Sequence, residues 1–301
     1  MKMKGVIFVL LGASFFGLTP IFVKTGFEYG YTLGQLNITQ MLIAFFLLWG
    51  LSFVCIGKVK ELSTRGVIKI LITGSFVGLT SIFYYGAMQF LPASLAIILL
   101  FQFVWIGMIF EWIFTKIRPT KVNLLSMVIT LTGVVFASNV VNGKITEMPG
   151  IGLFLGLLAG VTYAGFIFFS GQAAEGTPPL LRAALMITGA AILVFIIFYN
   201  DFSMVVTNDG RLWAVGAAIA AVGAILPPLL FAGGAPYITG RLANVLSSVE
   251  LPVAIISAMI VLSERVTFLQ WIGIILIISA IFVNELCGRF TKKSFTFTNM
   301  K

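Results

Sequence analysis

The chain divides into ten apolar stretches, at residues 5–23, 33–56, 67–90, 93–114, 122–140, 150–171, 179–200, 212–235, 241–262 and 268–287, joined by short polar segments. A helix needs about 20 apolar residues to cross roughly 30 Å of hydrocarbon, and inside a bilayer it is the one open structure that satisfies its own backbone. The runs show no period-2 alternation, which excludes an outer-membrane barrel. The predicted fold is therefore an all-α integral membrane protein of ten transmembrane helices. Fifty-nine per cent of the residues are apolar and 10% are charged, with a mean hydropathy of +1.10, outside the range of a soluble domain. The amino terminus, MKMKGVIFVLLGASFF, begins like a signal peptide, but no soluble mature domain follows it, so it reads as the first span.

The formal charge of +9 does not form a patch interleaved with aromatics, and no nucleic-acid partner is expected. The basic residues instead report topology. With the amino terminus in the cytoplasm, that side receives Lys2, Lys4, Lys58, Lys60, Arg65, Lys69, Lys116, Arg118, Lys121, Arg182, Arg241, Arg289, Lys292, Lys293 and Lys301; only Lys24, Lys144, Arg211 and Arg265 fall opposite. This positive-inside asymmetry puts both termini in the cytoplasm of a cell whose inner membrane holds the protein as a multi-pass chain. There is no histidine, and Cys55 and Cys287 have no metal-type spacing, so neither a metal site nor a cofactor is expected.

Sliding the chain by 147 residues aligns its halves without a gap. Gly5 meets Gly152, Gly86 meets Gly233, Leu95-Ala96 meets Leu242-Ala243, Arg118 meets Arg265 and Thr120 meets Thr267. The expected division is a first five-helix repeat at 1–146, a second at 147–288 and a cytoplasmic tail at 289–301. Five is odd, so the second repeat crosses the membrane inverted, an architecture on which alternating-access carriers are built. The alternative is an old duplication that stabilises the fold without transport.

The segments LLGASFFGLTPIFVK, LPASLAIILLFQFVW and LANVLSSVELPVAIISAMIVLSERVTFLQWIG carry a family resemblance across essentially the whole chain. It resembles the drug/metabolite transporter superfamily in its EamA branch, whose ninth helix typically holds a glutamate-proline segment followed by a Leu-x-Glu turn, matched here by Glu250, Pro252 and Leu262-Ser263-Glu264. Leu251 separates Glu250 from Pro252, where many relatives place the two adjacent. The resemblance implies a carrier of small metabolites, often an exporter of amino acids or related compounds.

Glu250 falls near the bilayer middle, where a lipid-facing carboxylate costs about 2.5 to 3.5 kcal/mol, so it is expected to face the interior with Ser247 and Asn244 on its stripe. Two roles stay open: a hydrogen-bonded tie between helices, or a site for a substrate amine or a coupling proton. Pro252 deprives the Ser248 carbonyl of its partner, and Pro227-Pro228 break the eighth span; these three are the candidate hinges. Gln102 and Trp105 share a face with Ile109 on the fourth span, Thr80 and Tyr84 share one with Thr73 on the third, and Thr162 and Tyr163 are the polar positions of the sixth. With Glu250 they would suit an amine-bearing solute through ion pairing and cation-π contact.

Glu111 reads as an interfacial partner of Lys116 and Arg118, and Arg182 as a snorkelling cation with a gate contact to substrate as the alternative. Glycines 74 and 78, and 152, 156 and 160, let helices approach. The fifth and tenth spans, with Asn139 and Glu285 at their ends, read as scaffold. No P-loop is present, so a gradient would drive transport. The leading expectation is a secondary transporter of a small organic metabolite, with the bilayer as its other partner and a monomer compatible with the sequence. An intramembrane enzyme, a channel and a carrier of drugs are the alternatives.

Overall fold

The structure is a computed structural model that describes residues 2–53, 63–91, 93–137, 149–173, 176–205, 209–261 and 266–298. Cys55, Lys58, Lys60, Asn139, Lys144, Arg265 and the expected Leu262-Ser263-Glu264 turn lie outside the described residues. Among the described residues there is no strand, and seven helices are long and apolar enough to cross a membrane, with shorter apolar helices at Lys121–Ala137 and Phe268–Val283.

The first half contains α1 (Lys2–Phe16), α2 (Thr19–Glu28), α3 (Leu33–Ser52), α4 (Thr64–Phe90), α5 (Ala93–Leu100), α6 (Phe103–Thr115) and α7 (Lys121–Ala137). The second contains α8 (Gly150–Ser170), α9 (Pro179–Ile197), the short α10 (Phe202–Val205), α11 (Gly210–Ile219), a π-helical turn (Ala220–Ile225), α12 (Leu226–Gly234), α13 (Gly240–Ser247), α14 (Glu250–Val261) and α15 (Phe268–Thr298). Helix starts follow from local chemistry. Thr32 and Gln35 form a reciprocal capping box at α3, Ser63 caps Gly66 of α4 and Thr239 caps Leu242 of α13. Within the helices, hydroxyls such as those of Ser14, Thr73, Thr80 and Ser247 bond back to the carbonyl four residues earlier, which lets polar residues sit in an apolar layer.

Several spans that the sequence predicts as single helices are interrupted. The first breaks at Gly17-Leu18, where the Leu18 N–H donates to the Phe15 carbonyl in a tightened turn. The fourth breaks at Phe101-Gln102 and the ninth at Ser248-Val249. The offset of 147 carries Ala93–Leu100 onto Gly240–Ser247, so these two breaks fall at one position of the repeat. In the ninth, the cause is Pro252, which takes the partner from the Ser248 carbonyl. In the eighth, Pro227 and Pro228 remove two donors, and the chain widens to π geometry immediately before them.

The halves interlock through their first and fourth spans. α8 runs parallel to α5, with Gly152 against Phe90 and Leu91, Gly156 against Leu99 and Gly160 against the Leu99 and Leu100 carbonyls. α1 packs along α13 and α14, and antiparallel to α12, with Gly5 at Gly234 and Gly12 at Phe231. α4 crosses α9 at Gly74, Gly78 and Gly189, each set against the partner backbone. α7 and α15 pair with each other at Gly133 and Gly273.

Candidate functional site

Glu250, the first residue of α14, is 2% exposed, so the carboxylate faces the interior as its position demands. Among the described residues no group completes a well-formed hydrogen bond to its Oε2 or to the hydroxyls of the buried Tyr84 and Tyr163. Both phenols stand close enough to the carboxylate to interact with it electrostatically, and the Tyr163 hydroxyl is near enough to hydrogen-bond to it after a small adjustment. An unmet buried polar atom costs about 1–3 kcal/mol. Unmet groups this near a buried carboxylate favour a polar guest, because that guest would recover the cost.

The surroundings are aromatic. Phe16 stacks on Tyr163 with centroids 5.0 Å apart, Phe103 meets the same ring edge-on at 4.9 Å, and Phe166 lies 6.2 Å away. Behind them a cavity of about 10 Å3, the space of one water, is lined by Phe16, Val77, Thr80, Tyr163, Phe166, Gly223, Pro227 and Pro228. The structure thus brings Thr80, Tyr163, Pro227 and Pro228 to one cavity, with Glu250 and Tyr84 beside Tyr163. Gly17 sets the break of the first span against the backbone of Glu250, so two interrupted helices from opposite halves meet at the residue that carries the carboxylate.

Other candidates lie elsewhere. Ser247 is buried but spends its hydroxyl on the Ala243 carbonyl at 2.8 Å. Asn244 packs against Gly107 of α6, its Nδ2 donating to the Gly240 carbonyl at 2.8 Å and its Oδ1 unpartnered. Gln102 sits in the break of the fourth span and accepts from Trp105 Nε1 at 2.7 Å. Trp105 is 36% exposed and Ile109 38%, so their shared face points outward and Trp105 does not join the carboxylate. The helical wheel finds that face correctly; an apolar outer surface gives no signal of which face meets lipid.

Two ionic expectations are corrected. Glu111 is buried and pairs not with Lys116 or Arg118 but with Arg241 of α13, Nε to Oε1 at 3.0 Å. Arg182 is 1% exposed rather than snorkelling, and donates to the Ser170 carbonyl. One polar cluster was not anticipated. Ser81 Oγ donates to Asn37 Oδ1 at 2.7 Å, Gln40 Nε2 donates to the same atom at 3.1 Å, and Tyr85 OH donates to Gln40 Oε1 at 3.3 Å, all buried between α3 and α4. Two amides three residues apart inside an apolar run were the signal that could have found it.

These features define a polytopic α-helical membrane protein of two like halves with a buried carboxylate where they meet. Residues 3–139 and 150–285 each match the model of the EamA-like transporter family, and the chain belongs to that family. A solved structure, described in the words "Crystal structure of protein", superposes with a TM-score of 0.76 at 15% identity, over 96% of this chain and 98% of that one, a likeness of fold. No curated protein matches the chain by sequence.

Proposed function

We propose that this transporter is a secondary carrier that moves a small amine-bearing organic metabolite, such as an amino acid, out of the cell across the cytoplasmic membrane by alternating access. The chain crosses ten times as two inverted repeats, 1–146 and 147–288, with both termini and the tail at 289–301 in the cytoplasm. The observation that carries this reading is the buried Glu250 carboxylate, with an unmet oxygen near the phenols of Tyr163 and Tyr84, at the place where interrupted helices of opposite halves pack together. Carriers commonly place the substrate there, near the midplane at the interface of inverted repeats. A cationic amine would pair with the carboxylate and lie against the rings of Tyr163, Phe16 and Phe103. The cavity beside them is too small for a solute, so loading requires the halves to move, with Pro227, Pro228 and Pro252 as hinge points. Counterflow in proteoliposomes preloaded with amino acids and amines tests the reading. Saturable exchange of one solute class is expected of a carrier, whereas flux that neither saturates nor shows counterflow would identify a pore.

A further inference from the structure

We infer that the half-helix α13 is the cytoplasmic gate of this carrier, latched shut by the Glu111–Arg241 pair and hinged at Ser248-Val249. The purpose assigned to the motion rests on the carrier reading; the latch itself rests on geometry. Arg241 is the second residue of α13, in the second half of the chain, and everything it binds belongs to the first half. Its Nε meets Glu111 Oε1 at 3.0 Å, and its Nη1 donates to the Arg118 carbonyl at 3.0 Å and reaches Asn123 Oδ1 at 3.5 Å. Its backbone N–H donates to Glu111 Oε2. One carboxylate therefore neutralises the arginine and also caps the positive end of the half-helix, two charge-favourable contacts that are lost together.

The seam continues inward along α6. Glu111, Gly107 and Phe103 recur every four residues on one face. Gly107 takes the Asn244 side chain so closely that a Cβ would overlap it, Gly240 sits against Phe168 and Glu111, and Phe103 reaches Tyr163 beside Glu250. Closed at the outer end by the ion pair, this seam stands between the basic end of the bundle and the carboxylate. α13 ends at the break, where the Ser248 and Val249 N–H groups bond three residues back instead of four. This eight-residue rod is packed against α1, α6 and α8 along its length, held by the ion pair at one end and interrupted at the other, so release of the pair frees it to swing as a unit at the break.

The chemistry of the pin suits a reversible gate. A buried pair offsets much of its desolvation cost through mutual attraction and the added hydrogen bonds, and when the gate opens both groups reach water and recover hydration, so neither state strands a charge. Removing one partner destroys that balance in the closed state alone.

The test needs no substrate, so its failure would leave the carrier reading standing. In a background with Cys55 and Cys287 changed to serine, Ser247→Cys reports on the inner side of the seam and Thr130→Cys, buried in α7, reports on general loosening. Inside-out vesicles are treated with a membrane-impermeant thiol reagent. Glu111→Gln is expected to speed labelling at position 247 by about tenfold, the factor of roughly one lost charge-assisted contact, and to change position 130 by less than about twofold. Unchanged labelling at 247, or an equal rise at both positions, would overturn the proposal.

Discussion

The backbone carbonyl of Glu250 occupies the space that a Cβ on Gly17 would need. The residue that interrupts the first helix is thus the one that seats it against the start of α14. Both breaks are packed to the backbone, so the geometry around the carboxylate depends on a missing side chain. Gly17→Ala is expected to lower stability by about 1–3 kcal/mol, the usual cost of forcing extra atoms into a packed interior, measured by thermal unfolding in detergent. Unfolding at the wild-type temperature would show that the two breaks are not in register.

The crossing of α4 and α9 gives a companion prediction away from the carboxylate. A Cβ on Gly74 would overlap the Met186 carbonyl, and one on Gly189 would overlap that of Leu71. Neither neighbour is a flexible side-chain end. Gly74→Ala and Gly189→Ala are each expected to cost about 1–3 kcal/mol or more by overpacking, read as loss of monodisperse protein on size exclusion and a lowered unfolding temperature.

At the opposite end of the bundle from the latch, Tyr31 OH donates to Asp209 Oδ2 at 2.8 Å, joining the loop after α2 to the start of α11. This hydrogen bond, supported by the Arg211 and Leu212 backbone and the Arg211 charge, holds the Asp209 carboxyl below the usual aspartate range against a smaller opposing effect of burial. A depressed carboxyl stabilises the folded state above its unfolded pKa of about 3.9 and loses that contribution as pH falls through the folded value. Asp209→Asn removes the charge and leaves one acceptor oxygen for two donors, the Arg211 N–H and the Tyr31 hydroxyl. Its unfolding temperature is expected below that of wild type at neutral pH, with the gap closing as the pH drops through and below the aspartate range. A gap of constant size across that range would assign the effect to something other than the charge.

The spans were legible because hydrocarbon imposes length and apolarity on anything that crosses it, and the buried Glu250 because a carboxylate at mid-depth has nowhere else to go. Pro252 and Pro227-Pro228 announced two of the interruptions, since a missing N–H is visible in sequence. The break at Phe101-Gln102 has no such mark. It becomes intelligible only when set on its repeat partner at Ser248-Val249, where the same register is broken by a proline that the first half lacks. Arg241 reads in sequence as one more basic residue at a helix start, because pairing it with Glu111 requires knowing that α6 and α13 lie side by side. Trp105 shares its helix face with Ile109, and both are exposed, a direction that an apolar outer surface does not mark in sequence.

Counterflow with Glu250→Gln in proteoliposomes asks whether Glu250 lies in the path of the solute. Glutamine keeps the shape of the side chain and removes the charge, so the fold, followed by thermal unfolding, is expected to be as stable as wild type or more so, since a buried carboxylate with an unmet oxygen is replaced by a neutral group. Exchange of the amine-bearing solute is expected to fall by tenfold or more, about the value of one lost charge-assisted contact. Equal exchange by the variant and the wild type would contradict the account and leave Glu250 as a tie between helices.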